Sequence, residues 1–211
     1  MKRASLVIVT ATTALIAACS NVPRSRDLAN PNVAAITIAR QVCSDCHGVS
    51  GNSISPNFPN LSAQTPAYLA AQLKGFRSHN RADPAGFEYM WGLSRSLSDE
   101  QISGLASYYA SQTPIRLTGN ADTARMATGK RLFETGVPEK NIPACVGCHG
   151  ATGQGNEAFP RLAGQHADYV VKQLIVFQRT DERPDGAIMK TVAHDLALEE
   201  IRSLAAYLQS L

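Results

Sequence analysis

The chain has 211 residues, of which 44% are hydrophobic, 18% charged and 6% aromatic, and its formal net charge is +3. That is enough apolar material for a core in one or two domains. No basic stripe of the kind a nucleic-acid binder carries appears, so nucleic acid is set aside as a partner.

Lys2 and Arg3 precede an uncharged, largely apolar run from Ala4 to Ala18. Fifteen residues are short for a membrane span, and residues 1–18 read as an export signal. Losing Lys2 and Arg3 with that signal leaves a net charge of +1. Ile16-Ala17-Ala18 directly before Cys19 resembles the lipobox of bacterial lipoproteins, in which the cysteine is acylated and becomes the new N-terminus. The resemblance implies lipidation of Cys19 and attachment to a membrane. Each buried methylene contributes roughly 0.8 kcal/mol, so several acyl chains anchor stably where one does not. A plain signal peptide cut nearby is the alternative. Residues 19–31 read as a polar tether without apolar period (Asn21, Pro23, Arg24, Arg26, Asp27, Asn30, Pro31). Ser20 stands where lipoproteins kept in the inner membrane often carry Asp. That leans the anchor towards the outer membrane, with the protein on the periplasmic side.

From residue 32 onward the chain is a duplicated unit. Phe58-Pro59-Asn60-Leu61 returns as Phe159-Pro160-Arg161-Leu162. Gln64, Tyr68, Gln72, Leu73 and Phe76 return as Gln165, Tyr169, Gln173, Leu174 and Phe177. Met90 pairs with Met189, and Glu100, Ile102, Leu105 with Glu199, Ile201, Leu204. Two copies of a whole unit predict tandem domains, 32–112 and 123–211, joined by a linker over 113–122 where Pro114 and Gly119 interrupt helical patterning. Each unit reads as all-α. Thr65-Pro66 supplies an N-cap and a first-position proline, and Leu69, Leu73 and Phe76 line the helix that follows. Ser98 with Gln101 predicts a capping box. Ile102, Leu105, Ala106 and Tyr109 then recur at helical spacing, repeated as Ile201, Leu204, Ala205 and Leu208. Gly129 to Glu134 predicts a helix leading into the second cysteine motif. Units this small bury too little surface alone, and a large apolar ligand inside each would supply the missing core.

Cys43-x-x-Cys46-His47 and Cys145-x-x-Cys148-His149 match the attachment signature of c-type haem. Two cysteines three positions apart on a helical turn both reach the vinyl groups of one porphyrin, and the next residue aims its imidazole at the iron. Recurrence at matching places in a duplicated unit makes coincidence remote. A structural zinc site needs a fourth ligand that neither half offers locally. A thiol–disulfide pair wants a βαβ setting, and none is visible. The opposite face of each iron needs a ligand too. Met90 lies 43 residues after His47 and Met189 lies 40 after His149, both at the same interval before the last helix of their unit. Met126 has no counterpart and reads as a packing residue. His79 and His194 are rival ligands but do not align with each other. His166 reads as a surface residue, and Trp91 as either a wall of the haem pocket or core. Histidine–methionine ligation raises the haem potential and leaves no open coordination position, which favours electron transfer over catalysis.

Cys43-Ser44-Asp45-Cys46-His47-Gly48 with Gly51 and Asn52, Cys148-His149-Gly150-Ala151-Thr152-Gly153 with Gly155, Leu162-Ala163-Gly164-Gln165-His166 and Leu97-Ser98-Asp99-Glu100 resemble the tandem two-haem class I cytochromes c, the cytochrome c4 family. The resemblance covers about residues 33–211. It implies two class I cytochrome c domains, each wrapped around one covalently bound haem, with the haems close across the interface. It also implies that the Pro59 and Pro160 carbonyls take the Nδ1–H of the haem histidines, and that Phe58, Leu61, Phe159 and Leu162 wall the haems from water. The implied function is periplasmic electron transfer, without enzymatic activity. Electrons would come from a quinol-oxidising complex and pass to a partner such as a haem–copper terminal oxidase. The alternative is the cytochrome subunit of a periplasmic dehydrogenase acting on a sulfur compound or an alcohol. A two-haem enzyme, such as a peroxidase or a thiosulfate dehydrogenase, requires one iron with an exchangeable or unusual ligand. Two features depart from the family pattern. No proline adjoins Met90 or Met189, and the first unit lacks the Gly-x-x-x-Phe of Gly129 and Phe133.

Overall fold

Each half buries its apolar helical stripes against one another, and the polar caps read in the sequence set where those helices begin. The computed structural model describes residues 26–117, 123–157 and 159–211. The signal segment, Cys19, the first part of the tether and residues 118–122 of the linker lie outside the described residues.

In the first half, α1 (Ala35–Ile38) runs through a π-helical turn (Ala39–Cys43) directly into α2 (Ser44–His47). Helix α3 (Pro66–Arg77) starts where Thr65 caps it, its hydroxyl accepting from the Tyr68 N–H at 3.4 Å. A second π-helical turn (Gly86–Met90) leads into α4 (Trp91–Ser94). Helix α5 (Asp99–Ala110) opens on the capping box: the Gln101 N–H donates to the Ser98 hydroxyl at 3.2 Å, and the Ser98 N–H to Gln101 Oε1 at 3.0 Å. The second half holds α6 (Thr123–Thr135), α7 (Val146–His149), α8 (Ala167–Arg179), α9 (Ala187–Ala193) and α10 (Leu198–Ser210). Among the described residues there is no strand, only two isolated bridges.

Helix α5 packs against α1 and α3, and α10 against α6 and α8. The first core gathers Ile38, Leu69, Leu97, Ile102, Leu105, Ala106 and Tyr109. The second gathers Leu132, Phe133, Val170, Leu174, Ile201, Leu204, Ala205 and Leu208. The terminal helix of each half therefore buries the stripe its sequence spacing predicts.

The two halves achieve the same close helix crossing with the glycine on opposite partners. In the second half a Cβ on Gly129 of α6 would stand 2.1 Å from the Ser203 carbonyl oxygen of α10. In the first half it is Gly104 of α5 whose Cβ would meet Ala35 of α1, at 2.6 Å. Gly104 occupies the place of Ser203 in the duplication. The missing Gly-x-x-x-Phe pattern of the first unit is thus a transfer of the small residue across the crossing.

Candidate cofactor site

The cysteines and histidines are placed by where their helices stop. Helix α2 ends at His47 because Gly48 takes φ 75° and ψ 154°, and α7 ends at His149 because Gly150 takes φ 81° and ψ 157°. That backbone region is essentially closed to any residue with a Cβ. In each motif the cysteine pair spans one turn of a helix and the histidine is its last residue.

His47 Nδ1 lies 2.9 Å from the Pro59 carbonyl oxygen, and His149 Nδ1 lies 2.9 Å from that of Pro160. A carbonyl only accepts, so Nδ1 carries the proton in both rings and Nε2 keeps a lone pair for a metal. Burial pushes both imidazoles below their ordinary pKa, opposed by the proline hydrogen bond, so they stay neutral near pH 7. Phe58 and Phe159 stand edge-on to these rings, with centroids 6.1 and 6.3 Å away.

A single cavity of about 860 Å³ runs between the halves. It is lined by Cys43, Cys46, His47 and Met90 from one half and by Cys145, Cys148, His149 and Met189 from the other. Phe58, Leu61, Phe159 and Leu162 are among its walls, as the resemblance implies. Small-molecule sites span roughly 300–1,000 Å³, so this volume stands near the upper end of that range. Met126, His79 and His194 do not line it. Paired thiols, neutral imidazoles with Nε2 free, thioether sulfurs and apolar walls form a donor set and a shape that fit two haems. Burial pushes the Cys43 and Cys145 thiols up to about 11, the reverse of what thiol–disulfide exchange requires. Among the described residues no three His, Cys, Asp or Glu side chains gather to hold a metal ion.

Several expectations about neighbouring residues change. His166 is buried rather than at the surface, and its Nε2 lies 2.8 Å from the Ser53 carbonyl oxygen of the other half. Trp91 does not line the cavity. Its Nε1–H donates to the Arg81 carbonyl at 2.8 Å, and its ring stacks on His79 at 4.1 Å.

The halves dock through the residues that the duplication repeats. Gln64 Oε1 accepts from the Arg161 N–H at 2.7 Å and its amide donates to the Arg161 carbonyl at 3.0 Å. Gln165 does the same with Asn60, at 2.8 and 3.0 Å. Each glutamine therefore grips the residue beside the proline that orients the other half's histidine. Replacing both glutamines by alanine strands the buried N–H and carbonyl of Asn60, each costing about 1–3 kcal/mol, and the half-buried pair of Arg161, which cost less. The expected result is faster protease cleavage within the linker and thermal unfolding in two transitions rather than one.

Sequence reading missed the polar cluster beside this clamp. Arg81 Nε donates to Asp83 at 2.8 Å and Arg81 Nη1 to Gln72 at 2.6 Å, while Arg183 Nη2 donates to Gln72 at 3.0 Å and to the Tyr68 hydroxyl at 3.1 Å. Arg81, Asp83 and Arg183 are buried. Their signal was available: Arg81 and Arg183 stand 102 positions apart, as do Asp83 and Asp185, close to the spacing of the repeat.

Comparison with known proteins agrees with this geometry. The cytochrome c family model matches residues 34–113 and again residues 126–211. Cytochrome c4 of Stutzerimonas stutzeri is 40% identical over 179 residues, covering 81% of this chain and 84% of that protein. The structure of Acidithiobacillus ferrooxidans cytochrome c4 superposes with a TM-score of 0.74 at 38% identity, covering 80% of this chain and 98% of that one. A thiosulfate dehydrogenase electron acceptor of Stutzerimonas stutzeri is 32% identical over 173 residues, covering 80% of this chain and 78% of its own length. Two copies of one haem-binding domain, a cavity bounded by two Cys-x-x-Cys-His motifs and these relatives lead to one conclusion: the chain belongs to the cytochrome c family, as a two-haem electron-transfer protein of the cytochrome c4 type.

Proposed function

We propose that the protein is a periplasmic electron carrier, tethered to a membrane by lipid on Cys19, whose two haems are held by Cys43 and Cys46 and by Cys145 and Cys148. His47 and Met90 would hold one iron, and His149 and Met189 the other. Bound haem supplies the one-electron couple of its iron. The chain's own part is to hold, orient and exclude water. The Pro59 and Pro160 carbonyls fix the imidazole rings, and the phenylalanine and leucine walls keep the site dry. The observation that carries this reading is the cavity itself. It admits the duplicated methionines and leaves out Met126, His79 and His194. Two protein ligands for each iron would leave no position for a substrate, which favours a carrier over an enzyme.

The partners fitting this role are a quinol-oxidising complex as donor and a terminal oxidase as acceptor. A second reading has support from the relative named as a thiosulfate dehydrogenase electron acceptor: here the donor is a dehydrogenase oxidising a sulfur compound.

Ligation is tested by the weak far-red sulfur-to-iron band of the ferric protein. Met90→Ala and Met189→Ala are each expected to halve that band and to lower the potential of one haem. The double variant is expected to abolish it. A full band in either single variant assigns the ligand elsewhere.

A further inference from the structure

Arg161 lines the cavity beside Pro160, and its Nε is buried without a hydrogen-bond partner. Among the described residues no ion pair includes it. Burial pushes its guanidinium below the ordinary arginine range, and no neighbouring acid opposes that push. An arginine keeps its proton inside a protein, so the charge stays and calls for an anion.

The wall around it offers none. Its other two arginines, Arg81 and Arg183, are held by Asp83, Gln72, Gln173 and the tyrosine hydroxyls. Among the described residues the acids lining the cavity are Glu88 and Asp185, and both are exposed. Asn60, which holds the place of Arg161 in the first half, is satisfied by protein at both ends of its amide. Its Oδ1 accepts from the Ser53 N–H and its Nδ2 donates to the Gly164 carbonyl, each at 2.8 Å. The backbone of Arg161 is pinned on both sides by Gln64, so the side chain is rooted at a fixed point of the junction.

We propose that Arg161 holds a propionate carboxylate of bound haem. Haem is apolar across its ring but carries propionate side chains, acids that an apolar cavity must neutralise. Arginine presents Nε–H and Nη–H as a planar fork matched to the two oxygens of a carboxylate. A carboxylate brought by a covalently attached group is always at the site, whereas a free anion must be drawn from water into an apolar wall. The inference rests on the two-haem reading above and deepens it: thioether bonds hold the vinyl side of the porphyrin, and Arg161 takes the acidic side.

The test is resonance Raman spectroscopy of the purified two-haem protein, read at the bending mode of the haem propionates. The frequency of that mode rises with the strength of hydrogen bonding to the carboxylate. Arg161→Gln is expected to move the part of the band contributed by one carboxylate to lower frequency, with both haems still counted by mass spectrometry. A merely structural role lowers the melting temperature without moving this band. Lys172→Gln removes an exposed cation of the same wall and is expected to leave the band in place. An unmoved band in Arg161→Gln overturns the proposal and leaves the two-haem reading intact, the guanidinium then serving packing or an anion from solution. Equal movement in both variants overturns it too, because any cation of the wall would then suffice. Should Arg161→Gln not retain two haems, Arg161→Lys replaces it: an ammonium lacks the planar fork, so an unmoved band there overturns the proposal instead. Absence of haem mass from the parent protein overturns both the proposal and the two-haem reading.

Discussion

Serine in place of both Cys145 and Cys148 is expected to yield a protein lighter by one haem, with its second half unfolded. Mass spectrometry reads the first effect, and loss of about half the helical circular dichroism reads the second. The cavity explains the severity. Leu174, Phe177, Leu196, Leu204 and Leu208 of the second half line it, so the core of that half is completed on one side by what fills the cavity. Side chains that face an unfilled apolar cavity lose the dispersion contacts and burial that a bound ligand supplies, and a domain has only about 5–15 kcal/mol of stability to lose. Serine keeps the size and loses the thioether, so attachment is what the substitution removes. A second half that stays fully helical without its haem would show that α6, α8 and α10 form a sufficient core by themselves.

Gly129→Ala is expected to lower the melting temperature of the second half by roughly 10 °C. A methyl group there meets the Ser203 carbonyl oxygen at 2.1 Å and Tyr207 Cβ at 2.7 Å. Neither is the far end of a flexible side chain, so α6 and α10 must separate along their contact. Overpacking of this kind costs about 1–3 kcal/mol, and the helical gain of about 0.5–1 kcal/mol from replacing glycine offsets only part of it. Each kcal/mol lowers the midpoint by roughly 4–8 °C in a unit of this size. Gly104→Ala is expected to do less harm, because it meets the Ala35 methyl group rather than backbone. Equal melting of the two variants would place the tight contact elsewhere.

What sequence alone determined is local. The five consecutive residues of each Cys-x-x-Cys-His motif carry their geometry within one helical turn, so the candidate attachment points and histidines were readable before any fold was known. The caps at Thr65 and Ser98 depend on neighbours three residues away, and the duplication showed which methionines correspond. What only the tertiary structure decided lies between residues roughly a hundred positions apart. Gln64 reaches Arg161, His166 reaches Ser53 and Arg183 reaches Tyr68 only once the two halves dock. No periodicity records such pairings, and buried polar groups must find partners wherever docking supplies them. Asp83 and Asp185 show the limit most clearly. They are the same residue type at matching places of the repeat, and burial of one with exposure of the other is a property of the packed interface.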